Sequence, residues 1–234
     1  MNITVEQQPV RTAGLASWTD RLFAATAAAV GVSLLLYFPD RDDGSGAILG
    51  GLSALVGVFL ALSLTAKVRA LPARSVSQHT KLLVRAVGIG LVVGFANLGV
   101  NWSMAAVDAA IHEQMVTRWA EFSAWSVLIS GVVMEEIVYR LVLMSVLAWL
   151  IARFTADRRR IFYMALGVSA VVFGVMHIFY GGVGAPLYTV GMAVKSSAAG
   201  VVFGWIYWRW GLGYSIVSHS AANGIHLLLM RYFF

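Results

Sequence analysis

The chain has 234 residues, 59% hydrophobic and only 12% charged, with no cysteine and a formal net charge of +6; its mean hydropathy is +0.79. Soluble domains are about 45–50% apolar and about 25% charged, so the composition excludes a water-soluble globule, and the lack of cysteine excludes disulfides, thiolate metal sites and cysteine nucleophiles. The basic residues lie mostly in short connections between apolar stretches, where they act as orientation signals, which points to a lipid bilayer and away from nucleic acid.

The first 20 residues read as a polar tail, too polar for a signal peptide, before a retained first span. Apolar windows then predict seven helical spans, at about 21–38, 47–66, 86–107, 122–152, 161–180, 187–208 and 212–231. The fold class expected is all-α: a polytopic transmembrane bundle with N-terminal transmembrane helices over 21–121 and a catalytic core over 122–234. Lys67, Arg69, Arg74, Lys81 and Arg85 make the second connection basic, and "RFTADRRR" does the same for the fourth. Both therefore face the cytoplasm, whereas "PDRDDGSG" and "DAAIHEQMVTRWAE" face the other side. Tryptophans such as Trp102, Trp149 and Trp210 fall near the proposed span ends, as an interfacial belt does. No internal repeat is visible.

The fourth span contains the residues that a mere anchor has no use for. Its "MEEIVYR" places Glu135, Glu136 and Arg140 inside apolar sequence, where each charge costs roughly 2.5–3.5 kcal/mol at a bilayer centre. Glu136 and Arg140 are four apart and share a helix face, while Glu135 is rotated by about 100° from Glu136. One carboxylate is thus expected to be held by the arginine and the other left for acid–base work. A structural ion pair between helices accounts for the same residues equally well.

The fifth span ends in "VVFGVMHIFYGG", with His177 four residues after Phe173. A lone helical histidine is more often a packing residue than a catalyst. The seventh, "LGYSIVSHSAANGIHLLLM", puts His219 and Asn223 on one face and His226 close to the same stripe. Interhelical glue is the plain reading there, with Ser218, Ser220, Ala221, Ala222 and Gly224 as close-packing positions. Three such clusters on separate spans are cheapest when gathered round one wet cavity. Together they hold a base, a partner for it and donors for an oxyanion, which suits attack of water on a carbonyl.

The motifs "EEIVYR", "FGVMH" and "HSAAN" resemble the EExxxR, FxxxH and HxxxN signature of the CPBP family, which takes in CAAX prenyl endoproteases and bacteriocin-processing or immunity proteins and is also called Abi. The resemblance covers about residues 122–230, and the lead "GVVFGWIYWRWGLGYSIVSH" is similar to the family's approach to its last motif. It implies an intramembrane protease in which Glu135 and His177 activate water, His219 and Asn223 stabilise the oxyanion, and Glu136 with Arg140 supports the site. The substrate implied is a peptide or membrane protein, and the location implied is a prokaryotic cell membrane.

Two polar residues fall outside the signature. Lys195, in the sixth span, either neutralises a glutamate, binds a substrate carboxylate or snorkels to an interface; a structural or cavity-lining role is favoured. His226 is expected to pack or bond locally. Glu135, His177 and His219 also make a Glu-His-His set of the kind that holds catalytic zinc. The helical metal signature HExxH is absent and asparagine suits an oxyanion hole better than zinc, so the metal-free reading is favoured. A non-catalytic immunity or scaffold protein and a proton-coupled transporter are the competing classes. Straight spans put His177 near one end of its helix and His219 nearer the other side, so a shared site predicts a broken, tilted or re-entrant helix.

Overall fold

The computed structural model describes residues 75–121, 131–181 and 186–233. The spans expected at 21–38 and 47–66, and the first residues of the one expected at 122–152, lie outside these. Among the described residues every regular element is helical: α1 (Val76–Val107), α2 (Ala109–Glu121), α3 (Val132–Glu135), a π-helical segment (Glu136–Met144), α4 (Ser145–Ile151), α5 (Arg158–Gly181), α6 (Pro186–Trp210) and α7 (Leu212–Phe233). Among the described residues three stretches, Val76–Val107, Arg158–Phe179 and Pro186–Trp210, are long and apolar enough to cross a membrane.

The third span begins ten residues before its expected start, because "SVSQ" forms a capping box. Ser75 Oγ accepts from the Gln78 amide and Gln78 Oε1 from the Ser75 amide, satisfying two donors that a helix start leaves orphaned. Lys81 and Arg85 thus sit on the first turns of α1 and not in a loop. The stretch "DAAIHEQMVTRWAE", expected as a connection, is largely helix α2. Asp108 Oδ1 accepts from the Ala110 amide, and Ile111 and Met115, one turn apart, are buried against Met104, Tyr188 and Met230. Asp157 starts α5 in the same way, taking the Arg159 amide at 2.9 Å.

α5 packs along α6, and α1 along α7. Apolar side chains gain little by leaving lipid for one another, so small residues that let backbones approach do the joining. A Cβ at Gly90 would collide with the Ser218 carbonyl, and one at Gly94 with Ile225 and Ala222. Gly174 makes the corresponding approach to Ala193 and Ser197 on α6. Between α6 and α7 the chain reverses at Gly211, whose φ of 114° is a left-handed conformation open to glycine. Its amide bonds back to Tyr207 O at 3.0 Å, ending α6.

No break or re-entrant loop interrupts α5 or α7 among the described residues. The irregularity is instead the wider winding of Glu136–Met144. Such winding changes which carbonyls find partners along the helix. One of them, Tyr139 O, accepts from Ser169 Oγ of α5 at 2.7 Å. That bond ties the irregular segment to the helix that carries His177.

Candidate active site

Glu135 is the meeting point. Its two oxygens face two imidazoles, with Oε1 3.7 Å from His177 Nε2 and Oε2 3.6 Å from His219 Nε2. These separations exceed the range of a direct hydrogen bond, so the carboxylate lies beside both rings without a short bond to either. The Glu135 side chain keeps 23% of its surface exposed, whereas Glu136 and Arg140 keep none.

Each imidazole is oriented through its other nitrogen. His177 Nδ1 lies 2.8 Å from the Phe173 carbonyl one turn earlier, an acceptor only, so Nδ1 carries the proton. In the neutral ring Nε2 then presents its lone pair toward Glu135. This explains the four-residue spacing of "FGVMH", and the Phe173 ring adds to it. That ring packs on His177 at 4.4 Å, meets His219 edge-on at 6.0 Å, and lies 4.6 Å beneath the Arg140 guanidinium.

His219 Nδ1 is 2.9 Å from Glu136 Oε1, and Phe203 of α6 stacks on the ring at 4.4 Å. Glu136 also has Ser215 Oγ at 2.5 Å and Arg140 Nε at 3.6 Å. The Ser215 hydroxyl is within 2.9 Å of the Phe203 carbonyl as well. The buried nitrogens of Arg140 have no hydrogen-bond partner among the described residues, so its contribution is charge and contact with Phe173. Asn223 follows His219 by one turn on the same face of α7 and is partly buried.

Glu135, Glu136, Arg140, His177 and His219 are thus brought into one cluster. Lys195 and His226 join a second. Lys195 Nζ is 2.5 Å from Asn101 Oδ1, and Asn101 Nδ2 is 3.3 Å from His226 Nε2. Sequence reasoning passed over Phe203, Ser215 and Asn101. Ser215 stands four residues before His219, so its position on the same face was readable. Asn101 was a lone amide in an apolar run. Phe203 carries no sequence signal that separates it from other buried aromatics.

Among the described residues no group of three or more His, Cys, Asp or Glu side chains is arranged to hold an ion.

A partly exposed carboxylate facing two oriented imidazoles, among apolar helices, is an arrangement suited to acid–base chemistry. Residues 117–225, somewhat less than half of the chain, match the model of the type II CAAX prenyl endopeptidase Rce1-like family, in agreement with the resemblance that the three motifs carry. Neither the comparison with curated proteins nor that with solved structures found a match.

Proposed function

We propose that the protein is a multi-pass intramembrane endopeptidase of a prokaryotic cell membrane, cutting a peptide bond of a membrane-associated protein or peptide. The observation that carries this reading is the pair of gaps, 3.7 and 3.6 Å, that separate one carboxylate from two imidazoles. A water in the first gap donates one hydrogen to Glu135 Oε1 and the other to His177 Nε2, leaving its oxygen lone pair for the scissile carbonyl carbon. Glu135 takes the proton as the C–O bond forms and delivers it to the departing amine as the C–N bond breaks. The oxyanion accepts hydrogen bonds from Asn223 Nδ2 and from His219 Nε2. His219 donates there when its ring carries both protons, the Nδ1 proton being held by Glu136.

Glu136, Arg140 and Ser215 reach no substrate in this scheme. They fix the height and rotation of His219 and of the helix that carries Glu135. Every step uses the protein's own groups, so turnover is expected to survive exhaustive chelation at unchanged rate; loss of activity restored by zinc would replace this mechanism with a metal-dependent one.

Protein termini compared in cells carrying wild type or Glu135→Gln, at matched membrane abundance, test the activity itself. A terminus present only with the wild type establishes proteolysis and names the substrate. Identical termini would transfer the fold to the immunity or scaffold role.

A further inference from the structure

At one end of the bundle the surface turns strongly basic. α4 ends at Ile151 and α5 begins at Arg158, and the connection with the first turn of α5 carries Arg153, Arg158, Arg159 and Arg160, all exposed. The last turn of α6 reaches the same end: the Trp208 ring lies 5.3 Å from that of Phe162 on α5, and the adjacent Arg209 is exposed. The acid of this segment, Asp157, is already engaged. Its Oδ1 accepts from the Arg159 and Arg160 amides, and its Oδ2 lies 3.3 Å from Arg160 Nε. That ion pair is exposed on both sides, so it is weak and open to exchange. The opposite end of the bundle, where α1 passes into α2, carries Asp108 and Glu113 instead.

Apolar surface begins directly below the arginines. Arg160, Met164, Gly167 and Val171 follow one another at helical spacing on α5 and share one face. Met164 and Val171 are exposed, and a side chain at Gly167 would meet nothing within 4 Å, so the glycine leaves a notch in the stripe. Arg153 Cζ sits 4.1 Å above the Trp149 ring, a stacking that suits a planar guanidinium. The next residue, Phe154, is 88% exposed. Arg158–Phe179 is a stretch long enough to cross a membrane, so its first turn stands at headgroup level and the stripe below runs along hydrocarbon. A single molecule that meets both has an anionic head and an apolar tail.

We propose that this end of the bundle binds an anionic glycerophospholipid, its phosphodiester held by the arginines of the α4–α5 connection and one acyl chain lying along α5 across Gly167. Clusters of basic residues at the edge of a span attract anionic headgroups, and guanidinium groups meet phosphate oxygens through paired, charge-assisted bonds. The inference goes beyond the peptidase reading and stands whether or not the hydrolytic cluster cuts peptides. The two meet in one respect. The α4–α5 connection joins the helical stretch that carries Glu135 to the helix that carries His177, so a lipid seated there braces both.

The test uses the full chain in a nonionic detergent, titrated with dihexanoyl phosphatidylglycerol or dihexanoyl phosphatidylcholine while the thermal unfolding midpoint is followed. A ligand that binds only the folded protein raises the midpoint, and its apparent affinity follows from the titration. Each arginine engaged by an anionic headgroup is worth about fivefold, so phosphatidylglycerol is expected to bind at least about tenfold tighter than phosphatidylcholine. Arg158→Gln, Arg159→Gln and Arg160→Gln together remove most of that preference, with the lipid-free midpoint unchanged because all three side chains are exposed. Arg160→Gln alone, a milder change, lowers the phosphatidylglycerol affinity about fivefold. Gly167→Leu fills the notch and lowers it with every charge in place. Equal affinity for the two lipids overturns the proposal, as does an effect that inorganic phosphate reproduces at the same concentration. So does a phosphatidylglycerol affinity that Arg160→Gln and Gly167→Leu both leave unmoved.

Discussion

Glu135 and Glu136 are neighbours in sequence and opposites in surroundings. Around Glu136 everything is closed: the carboxylate and Arg140 are fully buried, and Ser215 and His219 sit within hydrogen-bond distance of it. Around Glu135 the contacts are long, the side chain is partly exposed, and both imidazoles stop short of it. One helix therefore carries a sealed carboxylate that holds shape and an open one with room for a reactant. A rotation of about 100° between successive residues is enough to separate the two tasks, since it turns one side chain into the bundle and the other toward the space between α5 and α7.

That contrast can be broken from either side. The largest effect expected is on rate: Glu135→Gln lowers turnover by about 10²–10⁴-fold, the usual contribution of a positioned base, with thermal stability in detergent unchanged. Comparable loss of stability would show Glu135 to be as structural as its neighbour. Next comes Glu136→Ala, which leaves a buried guanidinium uncompensated and costs about 3–5 kcal/mol of stability, read as a lowered unfolding midpoint and reduced membrane abundance. If Glu136→Ala keeps its midpoint, the sealed half of the comparison is wrong. Asn223→Ala is expected to slow turnover by about 10²–10³-fold through loss of an oxyanion donor without moving KM. A raised KM at constant kcat would make Asn223 a binding residue instead. The smallest effect is that of Ser215→Ala, about 1–3 kcal/mol of stability for a buried acceptor left short of a donor, with residual activity intact once the protein is folded.

The parts legible in the sequence were those with helical spacing. Four-residue intervals linked Glu136 to Arg140, Phe173 to His177 and His219 to Asn223, and a helix projects such pairs onto one face whatever surrounds it. Apolar runs located α5, α6 and α7 to within a few residues. The start of α1 was legible too, in the Ser75–Gln78 capping box, but the basic residues that follow it made the segment look like a loop. α2 was masked by its low hydrophobicity; the cue was Ile111 and Met115 one turn apart behind Asp108. What spacing alone does not encode is contact between helices. The Phe203 ring on His219 depends on the crossing of α6 and α7, and Asn101 acquires its role only when α1 lies along α7. The apparent conflict between His177 and His219 arose because straight parallel rods were assumed. Each helix stays continuous, and a single carboxylate reaches both rings.

The π-helical segment turns this part of the chain into a phase-setting device. Everything before Glu136 is displaced round the helix axis, relative to everything after Met144, by the winding of nine residues. Were the same residues to settle into ordinary winding, the preceding side chains would swing by about 100°, one residue step of an α-helix. Glu135 would then face a neighbouring surface while Ser145 and Ala148 kept their places. The orientation of Glu135 is thus stored in the winding of the segment as much as in the identity of its residues, and ordinary winding would erase it with every motif letter still present.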